Sequence, residues 1–136
     1  MSNKIIRAAL ESRLKTWAQA QSPPIPIAYQ NVAFTPPNQA RYLRAFLLPA
    51  ETRSDLPGVS RNYSGIFQVS ICLPDGAGSG AAETILADLE ALFPVALTIE
   101  SAGTKIFITR PVSASPAMNE PGLFVLPASI RYRADK

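Results

Sequence analysis

The stretch GIFQVSICLPDGAGSGAAETILADLEALF, residues 65–93, decides the fold of this chain. Apolar side chains occupy every second position from Phe67 to Leu73, which is the period of a strand with one buried face. The proline and glycines of residues 74–80 interrupt regular structure, and Ser79 is in place to cap the helix that the apolar spacing of residues 81–93 predicts. The stretch therefore predicts a strand, a turn and an amphipathic helix.

Length and composition limit the chain to one domain of ordinary charge. The 136 residues are 47% hydrophobic, enough for one core, so we expect a single domain over residues 1–136. The formal charge of +3 at pH 7 is mild, and Lys and Arg are not clustered as in a dedicated nucleic-acid binder. We therefore expect weak anion affinity and no sequence-specific nucleic-acid partner.

Two residue counts argue against common enzyme chemistry. Cys72 is the only cysteine, so no internal disulfide forms, and its place in the alternating strand predicts a small core or sheet residue. The chain has no histidine, which removes the usual general base and the commonest transition-metal ligand. Without histidine a serine triad cannot form, and we expect no catalytic residues, no metal and no cofactor.

Periodicity and turn residues predict the other elements of the chain. In order they are a helix from Asn3 to about Gln19, an edge strand within the proline-rich residues 22–38, a strand from Arg41 to Leu48, a hairpin over residues 97–110, a loop over residues 111–121, and a final strand over residues 123–133 that is broken near Pro127. Runs of hairpin-like strands with two separate helices predict an α+β fold.

The polar stretch from Glu51 to Asn62 predicts a surface loop. Pro57-Gly58 is a turn signal, and Arg53, Asp55 and Arg61 carry charge. A loop of this length exceeds the median connection of about 4–6 residues, and such loops are more often functional or interaction elements.

One motif offers an enzymatic alternative. Gly76 to Ala81 satisfies the glycine pattern of dinucleotide-binding loops between a predicted strand and a helix, with Glu100 some two dozen residues further on. Asp75 places a carboxylate beside the phosphate site, and the chain lacks repeated strand-helix-strand units. A small dinucleotide-binding enzyme therefore stays as the alternative function, beside the interpretation of these residues as a structural loop.

Two shorter patterns allow binding interpretations. Pro23 to Pro26 fits the spacing that SH3-type domains bind, which would make the chain an adaptor. Arg131, Tyr132 and Arg133 allow contact with nucleic-acid phosphate, or form a solvated strand face. Charges near the N-terminus interrupt any signal peptide, and no apolar run is long enough to span a bilayer, so we expect a cytosolic protein without membrane contact.

The strands carry more apolar surface than two helices can cover. Two helices of about 15 residues, each ~22 Å long and together ~20 Å wide, cover roughly four strands on one face. Yet the strand from Arg41 to Leu48 is apolar on both faces, as are parts of residues 105–110 and 123–126. A long loop or another copy of the chain must cover the surplus, and we favour self-association.

Several short motifs carry a resemblance to a known family. They are Asn31–Pro36 (NVAFTP), Tyr42–Arg44 (YLR), Gly65–Val69 (GIFQV), Pro74–Gly78 (PDGAG), Ala87-Asp88 and Phe93. With these motifs the chain resembles the tail terminator (minor tail protein U-like) proteins of long-tailed bacteriophages, and in particular prophage proteins of unknown function.

The resemblance implies a mixed, mostly antiparallel sheet with two helices packed on one face. It also implies a structural protein that forms a hexameric ring on the head-proximal end of the tail tube, ends tube polymerisation and offers the head-attachment surface. The implied partners are other copies of the chain, the tail tube protein and a head-completion protein. The implied locations are the bacterial cytoplasm during assembly and the virion tail.

Two hypotheses assign residues to this role. Arg53, Asp55 and Arg61 form reciprocal charged contacts at the ring interface. Arg131 and Arg133 face the channel, through which DNA must pass without sticking.

Overall fold

The computed structural model describes residues 3–37, 40–50, 62–76 and 80–135. Two helices and eight strands lie in these ranges: α1 (Asn3–Gln19), β1 (Ile27–Tyr29), β2 (Tyr42–Pro49), β3 (Asn62–Pro74), α2 (Gly80–Leu92), β4 (Thr98–Ser101), β5 (Thr104–Ile108), β6 (Ser113–Ala114), β7 (Met118–Glu120) and β8 (Leu123–Asp135). The predicted cap residue Ser79 lies outside the described residues.

One sheet contains all eight strands. Its order is β1-β2-β3-β8-β5-β4, and the short strands β6 and β7 also pair with β8. The pair β1–β2 is parallel and the other described pairs are antiparallel. The predicted α+β fold with a mixed, mostly antiparallel sheet is therefore confirmed.

The helices pack on one face of this sheet because each has a single apolar stripe. On α1 the stripe consists of Ile6, Leu10, Leu14 and Ala18, at spacings that place them on one side. α2 does the same with Ala82, Ile85 and Leu89. Both stripes join the odd-numbered residues of β2 and β3, such as Leu47 and Phe67, in the main core. α1 contacts β2, the second strand in the order, and also β4 at the opposite end, so the sheet curls around it.

The predicted break in the final strand is wrong. β8 is continuous through Pro127 and pairs with β3 along its whole length. The Ser115 amide donates to the Pro127 carbonyl at 2.9 Å, so the backbone polar groups of Pro127 face β6 and not β3. Proline has no N–H, and at Pro127 the missing donor is on the side of residues 115–117, between β6 and β7. The hydrogen-bond ladder between β8 and β3 therefore loses no donor.

The segment predicted as a loop over residues 111–121 contains β6 and β7. They are only two and three residues long, too short for a periodic signal, and they pair along β8. Of residues 109–119 only Val112 is buried, so pairing and not packing orders this segment.

Candidate interaction surface

The sheet face opposite the helices has an open apolar half on β2 and β3. Even-numbered residues point to this face because the odd-numbered ones enter the core. Leu48 on β2 lies opposite Ile66 on β3, and Phe46 is the preceding β2 residue on the same face. Leu48 is 46% exposed, and Phe46 and Ile66 are half-buried. We call these three residues the apolar half.

Cations line the other half of the same face, on β5 and β8. Lys105, Arg131 and Arg133 are all exposed there. The guanidinium carbon of Arg133 lies 4.9 Å from the centre of the Phe107 ring, and its Nη2 lies 3.5 Å from Asp135 Oδ2. Nζ of Lys105 lies 3.8 Å from Oε1 of Glu100 in another loose ion pair.

Arg131 is the exposed cation between the two halves. It lies opposite Ile66 of the apolar half, and no carboxylate among the described residues pairs with it. The structure thus brings Arg131 and Arg133 together on one exposed face, whereas Tyr132 between them is buried on the other face of the sheet.

The far end of β2 and β3 is covered by the chain itself. Tyr42, Cys72 and Val125 are buried there in a second, small cluster, against which Phe34 and Leu123 pack. The prediction that Cys72 is a small buried sheet residue is confirmed, and burial raises the pKa of its thiol. Part of the surplus apolar sheet is therefore covered within the chain.

An ion pair crosses this face between the open and the covered ends. Arg44 on β2 donates from Nη1 and Nη2 to the two carboxylate oxygens of Glu120 on β7, at 3.0 and 3.2 Å. Nη2 also donates to the Tyr42 hydroxyl at 3.1 Å. The hydrogen bond from Arg44 lowers the pKa of Glu120, and the same bond raises the pKa of Arg44.

Sequence reasoning missed this pair. Arg44 stands out as the one charge in an apolar strand, but Glu120 lies 76 positions away in a segment predicted as a loop. Ser70 and Pro127 lie opposite Arg44 along the sheet, and their small side chains leave room for it to cross. No local pattern in the sequence signals such a partner.

The predicted interface residues Arg53, Asp55 and Arg61 lie outside the described residues. Their positions in the chain place them between the end of β2 at Pro49 and the start of β3 at Asn62. Leu48 and Ile66 of the apolar half lie close in sequence to the two ends of this connection.

The dinucleotide interpretation finds no support. Residues 77–79 of the glycine loop lie outside the described part of the chain. β3, which leads into this loop, is antiparallel to both of its neighbours, β2 and β8. A dinucleotide crevice requires parallel neighbours at the carboxyl end of that strand. Over the described residues, no group of three or more metal-ligating side chains comes together.

Comparison with known proteins identifies the family. A family model described as phage tail terminator protein matches residues 5–132, so the chain belongs to the phage tail terminator family. One solved structure is 42% identical to the chain and superimposes with a TM-score of 0.84, covering 98% of this chain and 96% of the other. No curated protein matches the chain.

Family membership makes the chain a structural component of a phage tail. The family is not known for enzymatic activity. Within the ranges that the structure describes, neither helix has the length and apolar character to cross a membrane.

Proposed function

We propose that the chain, as a single tail-terminator domain over residues 1–136, closes into a hexameric ring on the head-proximal end of the tail tube. There it ends tube polymerisation and provides the surface to which the head-completion protein and head attach. Its other partners are the tail tube protein and further copies of itself. It assembles in the bacterial cytoplasm and remains in the virion tail. Where the phage genome is integrated in the host, the chain would be a prophage protein.

The observation that carries this proposal is the open apolar half of the sheet. An antiparallel sheet that faces water normally has polar residues on that side. Leu48, Phe46 and Ile66 depart from this rule at the end of the sheet next to the 51–61 connection. Contact with another copy would remove them from water, and a contact between different surfaces of two copies generates a ring when its rotation closes.

Electron microscopy of the protein mixed with growing tail tubes tests the proposal. We expect capped tubes of limited length, each with one ring at an end. A monomer in solution is compatible with this result, because ring closure can require the tube as a template. Unaltered tube growth at saturating protein would contradict the proposed function.

We propose that Arg53, Asp55 and Arg61 form reciprocal charged contacts between neighbouring copies. Support comes from their place in the connection that starts and ends beside the apolar half. Charge reversal at Arg53 or Arg61 should block ring formation, and the paired reversal of Asp55 should restore it. Assembly that survives Arg53→Glu and Arg61→Glu removes this interface.

We propose that Arg131 and Arg133 face the channel of the ring. Both are exposed on one sheet face, and Arg133 is held close to the sheet by Phe107 and Asp135. Partial neutralisation by Asp135 suits a wall that DNA must slide along. A ring reconstruction with both residues on the outer rim would overturn the assignment.

A further inference from the structure

β4 forms an open edge of the sheet. It comes last in the order of the described strands, so one of its two sides has no neighbouring strand among them. The Ile108 amide donates to the Leu97 carbonyl at 3.0 Å, and backbone groups alternate in direction along an antiparallel pair. The N–H and C=O groups of Thr98 and Glu100 therefore point away from β5 and make up the open edge.

The opposite edge of the sheet is less suited to strand pairing. β1 has three residues and begins directly after Pro26, which has no N–H to donate. β4 contains no proline, and its edge residues Thr98 and Glu100 are both exposed. An edge of this kind binds an added extended segment through main-chain hydrogen bonds.

A groove beside β4 has room for the side chains of an added strand. Its volume is about 820 Å³, and it lies between α1 and β4. Ser12 and Thr16 line it from the helix, and Ile99 and Ser101 line it from the strand. An added strand would therefore place alternate side chains in this groove and the others on the open sheet face, beside Glu100.

Residues 52–56, in the connection between β2 and β3, match these two environments in sequence. The uncharged Thr52, Ser54 and Leu56 alternate with the charged Arg53 and Asp55. In an extended segment the uncharged set would enter the groove, and Arg53 would lie on the face that carries Glu100. Opposite charges on neighbouring strands of one face attract each other, so the two surfaces are complementary.

The length of the connection limits which copy of β4 it can reach. Residues 51–61 span at most ~40 Å when extended. A path from β2 to the β4 of the same chain and back to β3 crosses four strand spacings and then three, about 34 Å along the sheet. This path leaves too few residues to pair along β4. The β4 of a second copy is not subject to this limit.

We propose that residues 52–56 of one copy add as a strand to the open edge of β4 in the next copy, with Arg53 beside Glu100. The inference rests on the proposed ring and names the surface that receives the charged connection. The connection and β4 are different surfaces of the chain, so the contact is heterologous and forms a ring when its rotation closes. Leu48 precedes Thr52 by four positions, so the same contact brings the apolar half close to the neighbouring copy.

Charge exchange tests the pairing of Arg53 with Glu100. Arg53→Glu should raise the protein concentration needed to cap tail tubes about tenfold, and the added Glu100→Arg should return it to within about threefold of wild type. The matched control adds Glu90→Arg to Arg53→Glu instead. Glu90 is an exposed carboxylate on α2, and its reversal should restore nothing.

A proline substitution tests the main-chain contact. Thr98→Pro removes an N–H that points away from β5, so the pairing of β4 with β5 keeps its hydrogen bonds, and circular dichroism should show a folded chain. Capping should need about tenfold more protein, because the open edge loses a donor. The control Thr98→Val keeps the N–H and should leave capping unchanged.

Disulfide crosslinking shows which copy supplies the strand. In a Cys72→Ala background, Arg53→Cys and Glu100→Cys are made in separate chains, which are mixed and oxidised on tail tubes. We expect disulfide-linked dimers from the mixture and none from either chain alone. A double variant that forms the disulfide within one chain would assign β4 to the connection of the same chain and overturn the inference.

The remaining outcomes separate this inference from the proposed function. If the wild-type chain caps tubes but the mixture gives no crosslink and Glu100→Arg gives no rescue, strand addition is overturned and the proposed function stands. A wild-type chain that never caps tubes overturns the proposed function. In that case dimers from the mixed chains at high concentration without tubes would still support strand addition, and their absence would overturn it.

Discussion

Gly65 and Tyr132 form a constrained contact in the core at the scale of single residues. They lie directly opposite each other on β3 and β8. A Cβ at position 65 would lie 2.6 Å from the Leu48 carbonyl oxygen and 2.7 Å from the Tyr132 hydroxyl. The hydroxyl is buried and has no hydrogen-bond partner among the residues that the structure describes. Glycine is therefore required at position 65 by space, because the Leu48 carbonyl and the Tyr132 hydroxyl lie where a side chain would begin.

Gly65→Ala should lower the free energy of unfolding by about 1–3 kcal/mol, because a backbone carbonyl cannot move away from the new methyl group. Chemical denaturation measures this change. Gly80→Ala is the matched control, because Gly80 begins α2 and a methyl group added there would contact none of the described residues across space within 4 Å. The same substitution should therefore be neutral or stabilise the chain by up to ~1 kcal/mol. Equal stability of Gly65→Ala and wild type would contradict the close contact.

Tyr132→Phe should change the pH dependence of stability. Burial raises the pKa of Tyr132 to about 12 from its ordinary value of 10.0, so the folded chain keeps a proton that the unfolded chain loses. Stability from this group is therefore complete below pH 10 and falls as the pH rises toward 12. The phenylalanine variant should show a smaller loss of melting temperature between these values. If the melting temperature of the variant fell with pH as steeply as that of wild type, the result would count against the burial of an ionisable hydroxyl.

At neutral pH the same variant should be as stable as wild type, or more stable by up to ~1 kcal/mol. The reason is that the buried hydroxyl makes no hydrogen bond to the described part of the chain, so its removal gives up none there. Thermal and chemical denaturation at pH 7 measure this difference in stability between Tyr132→Phe and wild type.

At the scale of elements, turn chemistry decides how the sheet ends. β4 and β5 form a hairpin closed by the pair Ser101–Thr104, as the sequence predicted for this region. The two residues between them, Ala102 and Gly103, have φ angles of 51° and 78°. Both φ values lie in the left-handed region. Two such residues in succession form the two-residue hairpin turn whose twist matches that of antiparallel strands. Glycine adopts this conformation freely, whereas alanine does so at a cost.

Ala102→Asn should raise the free energy of unfolding by about 0.5–1 kcal/mol, because asparagine tolerates the left-handed conformation and Asn-Gly is the preferred sequence for this turn. The reverse control, Gly103→Ala, should lower it by about 1 kcal/mol for the same reason. Chemical denaturation of both variants measures whether the free energy of unfolding rises or falls. A loss of stability in Ala102→Asn would show that the turn is held by other contacts.

For the whole molecule, the distribution of apolar surface on the sheet links fold to function. One face lies under the helices, and the other is divided into a covered cluster, an open apolar half and a cationic half. The surplus that the sequence indicated is thus partly covered by the residues around Phe34 and Leu123 and partly open. The open part carries the proposal of self-association.

Leu48→Ser should weaken ring formation about tenfold or more while leaving the fold intact. Leu48 is 46% exposed in the single chain, so its loss costs little folding free energy, but it would be buried between copies. Sedimentation and capped-tube counts measure the effect. Val95→Ser is the control, since Val95 is 53% exposed in the turn after α2 and outside the sheet face. Equal loss of assembly in both variants would contradict the assignment of the interface.

The sequence by itself determined the elements whose signals are local. The apolar stripes of α1 and α2 depend on neighbours within a few residues, and both helices were predicted at nearly their observed bounds. The alternation from Phe67 to Leu73 and the hairpin over residues 97–110 are also local signals, although β3 extends beyond the alternation, from Asn62 to Pro74. Only the tertiary structure decided features that join distant residues: the continuous β8 through Pro127, the contact of Gly65 with Tyr132 and the Arg44–Glu120 pair. The physical reason is that strand pairing and side-chain contacts across a sheet depend on register, which no local period specifies.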